Sequence, residues 1–239
     1  MLEFYQNLGF DRLPVSVPQK SRGHGIRKRG KKGSPLGPFA PCASGEKKTA
    51  LIALREEIGD CQRCRLSKGR KNIVFGEGSP DAAVMFIGEG PGEDEDIQAR
   101  PFVGKAGQTL RSLIRKMGMK ESEVYIGNVV KCRPPDNRTP LPDEIATCIP
   151  FLRRQIEIIS PRIIVLLGNV ALQGVMRSPN LRITALRGRF TEYEGIVVMP
   201  TFHPSYLLRN PKEKWLVWDD AQKVLEFLKK EGIRIEGQG

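Results

Sequence analysis

No stretch of this 239-residue chain approaches the roughly 18 consecutive apolar residues that a membrane-spanning helix needs, and the N-terminus lacks the apolar core of a signal peptide. Both absences argue against a membrane partner and make the cytoplasm the expected compartment, beside the nucleoid. The cysteine count, five, is odd. Without an export signal this disfavours a disulfide framework and leaves metal or cluster ligation as the better use of the thiols. Internal repeats are absent. Hydrophobic residues make up only 39% of the chain, low for a wholly packed protein, yet runs such as Ile163 to Leu167 have the character of buried strands. The shortage is therefore expected to be local.

Charge shows where. Residues 1–48 hold 10 Lys/Arg against 3 Asp/Glu, contributing +7 of the net +12. Within them, PVSVPQKSRGHGIRKRGKKGSPLGPFAP (residues 14–41) mixes proline, glycine and base with almost no apolar periodicity, so it cannot bury enough surface to offset its ordering entropy. The expected organisation is a disordered basic N-terminal extension over 1–48, opened by a short helical stretch carrying Leu2 and Tyr5 on one face, and one folded domain over 49–239. A pI near 9.7 points to a polyanionic partner, nucleic acid first.

Four apolar segments, 82–88, 124–130, 162–168 and 195–202, read as strands. Helical patterns occupy 49–59, 107–118, 141–159 with Pro150 as an interruption, 169–176, and a closing stretch over 213–232. This alternation predicts a three-layer α/β/α fold around a central four-stranded, mostly parallel sheet. Ligands of such sheets bind outside the carboxyl ends of the strands. The segments there, GEGPGEDED, GNVVKCRPPDNR, GNVAL and TFHPSYLLRNP, are expected to meet at one pocket.

The first of these places Gly88, Gly90 and Gly92 after a strand, as a dinucleotide site would, but Glu93 stands where the third fingerprint glycine is needed and four acids would face the pyrophosphate. The acids fit a helix start, where carboxylates complement the macrodipole; a magnesium site is a second reading. Glu89 precedes Pro91 in the turn itself and can present a carboxylate to the cleft. Cys61 and Cys64 form a C-x2-C pair, and Cys132 and Cys148 complete a set of four, which suits zinc or a [4Fe–4S] cluster; the spacing does not choose between them, and buried unligated thiols are the plainer alternative. His203 follows the last strand and can donate to a developing oxyanion. Asn128 can read a base edge, and Phe102 can act as a stacking platform. Leu207, Leu208 and Arg209 could wedge between bases while gripping phosphate, and Lys131, Arg133 and Arg138 could contact phosphates as well.

Together, GEGPGEDED, RPFVGKAG, NVVKCRPPDNR, TFHPS and the spaced cysteines resemble the family 4 uracil-DNA glycosylases, the iron–sulfur type of bacteria and archaea, from about Leu51 to Lys230. The resemblance implies a monofunctional hydrolase that cleaves the N-glycosidic bond of deoxyuridine in single- or double-stranded DNA and leaves an abasic site, the first step of base excision repair. It implies Cys61, Cys64, Cys132 and Cys148 as ligands of a structural [4Fe–4S] cluster, and Glu89 as the residue that positions or activates water. It further implies Phe102 stacked on the flipped uracil with Gly90 beside it, Asn128 on its O4 and N3 edge, His203 on O2, and Glu95 near the 5-position. The motif reads HPS where many members carry HPA, with the histidine retained. No histidine occurs in residues 131–143, where a covalently trapping subfamily carries one. The basic extension and Cys42 lie outside the resemblance and suit added DNA affinity or docking of a repair or replication protein. Two rivals are a non-catalytic nucleic-acid-binding protein of the same fold and a zinc-stapled, metal-dependent nuclease using the acidic run.

Overall fold

The computed structural model describes residues 44–233 and 235, so the readings made for residues 1–43 lie outside the described residues. Helix α1 (Ser44–Ile58) starts five residues before the expected boundary. The reason is tertiary: Leu51, Leu54 and Ile58 are buried on one face, and Lys47 Nζ donates to the carbonyl of Ile159 at 2.9 Å.

The sheet follows, with strands β1 (Glu77–Gly78), β2 (Val84–Gly88), β3 (Tyr125–Asn128), β4 (Ile163–Leu167), β5 (Thr191–Tyr193) and β6 (Ile196–Thr201) in the spatial order β1-β3-β2-β4-β6-β5. The four expected strands are the central, parallel ones, with Gly88 opposite Asn128 and Leu167 opposite Thr201. The sheet has six strands rather than four, because two short antiparallel strands cover its edges. Neither has a period long enough to register in sequence: β1 is two residues, and β5 turns into β6 through Glu194 and Gly195, both at positive φ, in a tight hairpin.

Strand alternation divides the core into two layers. Met85, Ile87, Ile164 and Leu166 face α1, α4 (Pro142–Ile159) and α5 (Gly168–Met176), while Val84, Phe86, Ile163, Val165 and Met199 face α3 (Lys105–Lys116) and α8 (Lys214–Lys230). Each fully buried large apolar side chain contributes about 1.5–3 kcal/mol, so the fully buried β2 and β4 anchor the sandwich. The short helices α2 (Glu93–Gln98), α6 (Ile183–Leu186) and α7 (Pro204–Arg209) complete the described α-helices, and three single turns of 3-10 helix lie at Arg65–Lys68, Pro135–Asn137 and Pro211–Glu213. Pro150 does not interrupt α4, which runs unbroken through it. Among the described residues no helix is long and apolar enough to cross a membrane.

Candidate active site

The parallel strands β2, β3 and β6 deliver their carboxyl ends to one rim, and a cavity of about 390 Å³ opens there. Glu89, Gly90, Glu95, Phe102, Asn128 and His203 all line it, together with Arg138, Ser205 and Arg209. Six residues spread over more than a hundred positions of sequence thus share one wall.

Glycine makes the convergence possible. A Cβ on Gly88 would lie 2.5 Å from Phe102 Cζ and 2.6 Å from Asn128 Oδ1, so a bare strand end lets ring and carboxamide close over it. Phe102 itself adopts φ +54°, a left-handed conformation that is costly for an aromatic residue. Three groups hold it there. Arg111 Nε donates to the Phe102 carbonyl at 2.9 Å. Glu95 Oε1 accepts from the amides of Val103 and Gly104, both at 2.9 Å. Gly107 leaves room for the Phe102 backbone, which an added Cβ would approach to 2.0 Å.

The acidic run is divided between tasks. Glu95 also accepts from the Gly92 amide at 3.1 Å, so both its oxygens serve the backbone even as it lines the cavity. Asp96 is buried and accepts from the amides of Lys71 and Asn72 at 2.9–3.0 Å. Glu93 and Asp94 are exposed at the start of α2. With two of the four carboxylates spent on backbone amides, the run does not assemble as a magnesium site.

Glu89 stands apart. Burial raises its carboxyl above the usual range, and a hydrogen bond from Thr139 partly offsets the shift. Asn128 is buried at the end of β3, and its Oδ1 has no hydrogen-bond partner. An orphaned buried acceptor costs about 1–3 kcal/mol, which a ligand N–H in the cavity would recover. His203 caps α7: its Nδ1 accepts from the Ser205 amide at 3.1 Å and lies 2.8 Å from Ser205 Oγ. Since Nδ1 accepts a backbone proton, the ring proton resides on Nε2. Burial, with help from Arg209, lowers the imidazole pKa to about 4, so the ring is a neutral donor at ordinary pH. Its centroid lies 5.8 Å from that of Phe102.

Several expected DNA contacts are placed differently. Lys131 is 2% exposed, and its ammonium donates to the Asn128 carbonyl at 3.0 Å and to Gln155 Oε1 at 2.6 Å; it faces the interior and no phosphate can reach it. Arg138 pairs with the buried Glu144 through two bonds of 2.7 and 2.8 Å, though it keeps a place on the cavity wall. Leu207 is core, at 4% exposure, whereas Leu208 stands 44% exposed and Arg209 is exposed beside it, so the proposed wedge reduces to Leu208. Arg133 is partly exposed, bonded to Asn137 Oδ1 at 2.8 Å and 3.7 Å from Glu93. Ser205, Thr139, Arg111 and Gln155 were missed by sequence reading. Only Ser205, two residues after a histidine, offered a local signal; the others act across elements.

Cys61, Cys64, Cys132 and Cys148 line one further cavity with Ile58, Ile73 and Phe151, beyond the end of α1 and against α4. None is in a disulfide. N–H groups aim at three of the sulfurs: Arg63 at Cys61 (3.2 Å), Arg70 at Cys132 (3.5 Å) and the Lys131 amide at Cys148 (3.3 Å). Burial pushes the Cys132 thiol up to about 12 and the Cys148 thiol to about 11. Thiolates in that setting need a bound cation, and the N–H donors suit sulfur ligands that carry charge. The donor set therefore fits a thiolate-held inorganic group.

A family model described as the uracil DNA glycosylase superfamily matches residues 75–227. Among curated proteins, the type-4 uracil-DNA glycosylase of Thermotoga maritima is 49% identical over 180 residues, covering 74% of this chain and 94% of that protein. The type-4 uracil-DNA glycosylase of Saccharolobus solfataricus is 43% identical over 194 residues, 78% of this chain and 90% of its own length. That of Sulfurisphaera tokodaii is 44% identical over 187 residues, covering 74% and 84% respectively.

Proposed function

The chain belongs to the uracil DNA glycosylase superfamily, in its type-4 branch, and on that premise we propose that it releases uracil from DNA by hydrolysing the N-glycosidic bond of deoxyuridine, leaving an abasic site for base excision repair. The observation that carries the site assignment is the orphaned Asn128 Oδ1 beside Phe102 and a neutral His203 in one cavity.

A base inside a duplex is out of reach, so the nucleotide must be extruded at a cost of a few kcal/mol, least for a mismatched or single-stranded uracil. The pocket offsets that cost. Phe102 stacks on the base, Asn128 accepts from uracil N3–H while its amide donates to O4, and His203 Nε2–H donates to O2. As the glycosidic bond stretches, the leaving uracil becomes anionic and the sugar cationic. A neutral donor fixed by Ser205 stabilises the anion without being titrated by it; one such aimed donor is worth about 2.7–4 kcal/mol. The Glu89 carboxylate stabilises the sugar cation and orients the attacking water. The reaction needs no amine nucleophile, so the backbone is left uncut. Glu95 acts chiefly by fixing the loop that carries Phe102.

Cys61, Cys64, Cys132 and Cys148 would hold a [4Fe–4S] cluster, whose contribution when bound is to tie the end of α1 to the loop after β3 and to α4. Zinc is the alternative for the same ligands; iron content and broad visible absorption of the purified protein decide between them. Substrate DNA would cross the rim near Leu208, Arg209 and Arg133, with the basic residues 1–48 adding affinity in the cytoplasm.

The test is an oligonucleotide with one uracil, incubated with protein and then with alkali. Cleavage only after alkali, severely slowed in His203→Ala and Glu89→Ala, is expected. Equal rates in all three proteins would remove the assigned site, and strand scission without alkali would favour the nuclease reading.

A further inference from the structure

A second and larger cavity, about 480 Å³, lies on the other side of α7 from the uracil pocket, between α3, α7 and α8. Its floor is apolar, formed by Leu113, Leu167, Phe202, Leu207, Val217 and Trp218. Its rim carries Lys105, Lys116 and Lys214, all exposed, and no carboxylate lines it. Lys116 Nζ sits 4.1 Å from the centroid of the Trp218 indole.

Two facts select an occupant. First, the groove shares its wall with the pocket: Lys105 adjoins Ala106, Pro204 adjoins His203 and Leu208 adjoins Arg209, the second member of each pair lining the uracil site. A strand whose base enters one cavity must pass the mouth of the other within a nucleotide or so. Second, an apolar floor edged by neutral polar residues (Gln108, Thr109, Ser112) and by charged residues that are all cationic is the complement of a nucleotide, whose base has an apolar face and whose phosphates are anionic. An apolar peptide would leave the lysines without counter-charges.

We infer that this groove seats a nucleotide adjacent to the target deoxyuridine on the same, unpaired strand, the base against the apolar floor and its phosphates against Lys105, Lys116 and Lys214. The inference rests on the uracil-excision reading of the neighbouring pocket. Exposed Leu208 stands on the ridge between the two seats and separates the extruded base from its neighbour. The site favours single-stranded substrate, because a base still paired in a duplex cannot enter it.

The test uses the full chain and a single-stranded oligonucleotide with one central uracil, following binding by fluorescence anisotropy and uracil release in parallel over a range of salt. Lys116→Gln/Lys214→Gln removes two exposed charges and is expected to bind more weakly. Its slope of log affinity against log salt should be shallower by about 1.4, at about 0.7 per phosphate contact on a single strand. A second oligonucleotide, with abasic sugars on both sides of the uridine, should bind wild type about fivefold or more weakly through lost base contacts. An unchanged salt slope in the lysine variant, or equal binding of the two oligonucleotides, overturns the proposal. Because binding and release are separate readouts, a wild type that binds with the expected slope but releases no uracil would instead sink the excision reading.

Discussion

The guanidinium of Arg111 grips the backbone that carries Phe102: Nε donates to the Phe102 carbonyl at 2.9 Å and Nη2 to the Pro101 carbonyl at 3.1 Å, while Glu77 and Glu121 hold its remaining edge. Arg111 does not line the cavity, yet it stabilises a left-handed Phe102 that would otherwise cost about 1–3 kcal/mol.

Replacing Arg111 with lysine keeps the charge for Glu77 but loses the planar fork. The expected outcome is a loop that relaxes and a displaced ring, read as a KM for uracil-containing oligonucleotide raised by about tenfold with a smaller loss of kcat. Retention of wild-type KM would mean that Gly107 and Glu95 alone fix Phe102.

The acid limb of the pH–rate profile should belong to Glu89, not His203. Burial raises the Glu89 carboxyl, and its required form is the carboxylate, so activity falls as pH drops through that raised value. Thr139→Val deletes the offsetting hydrogen bond and should move the limb to higher pH. His203, at about 4, stays neutral throughout this range. Its effect is on stability: from the ordinary 6.5 down to about 4 the unfolded chain binds a proton that the native state refuses, so stability declines as pH falls across that window. Chemical denaturation of wild type and His203→Gln at several pH values measures the difference, which should narrow toward low pH.

Lys131→Met fills the same space without charge, but strips a donor from the Asn128 carbonyl and from Gln155 Oε1. Each buried acceptor left unpaired costs about 1–3 kcal/mol. A lowered melting temperature should accompany weaker uracil binding, because the strand end that aims Asn128 is freed. DNA affinity on uracil-free oligonucleotides should not change; a loss there would restore the phosphate contact that burial argues against.

The two leucines of α7 should separate cleanly. Leu207→Ala opens a core cavity and is expected to cost about 2–5 kcal/mol. Leu208→Ala removes an exposed side chain, leaving the melting temperature within about 0.5 kcal/mol equivalent while slowing uracil release from duplex more than from single strands. Equal effects on both substrates would show that Leu208 does not fill the vacated stack.

Much of the fold was legible in the chain because it rests on local repetition. VMFIG and IIVLL are buried on both faces and can only be central strands, and the amphipathic stretches around Leu110 and Val224 can only lie on the sheet. The edge strands escaped because two or three residues establish no period, and Pro150 misled because a helix buried against its neighbours tolerates one missing hydrogen bond. Glu89, Asn128 and His203 drew notice as polar groups at or just beyond strand ends, and Phe102 as an aromatic ring in the glycine- and proline-containing loop between α2 and α3. Lys131 and Leu207 were misjudged for one reason: side-chain direction follows from packing, and residues one position apart can face solvent and core.

By itself, the sequence determined the order of the four central strands and the long helices, the four thiols, and which polar side chains sit at strand ends, since these depend on residue type and short-range periodicity. Tertiary structure alone decided that Gly88 would bring Phe102 and Asn128 together, that Ser205 would set the His203 tautomer, and that Lys131 would turn inward. Those outcomes depend on distances between atoms far apart along the chain, and only the packed sheet and its helices fix them.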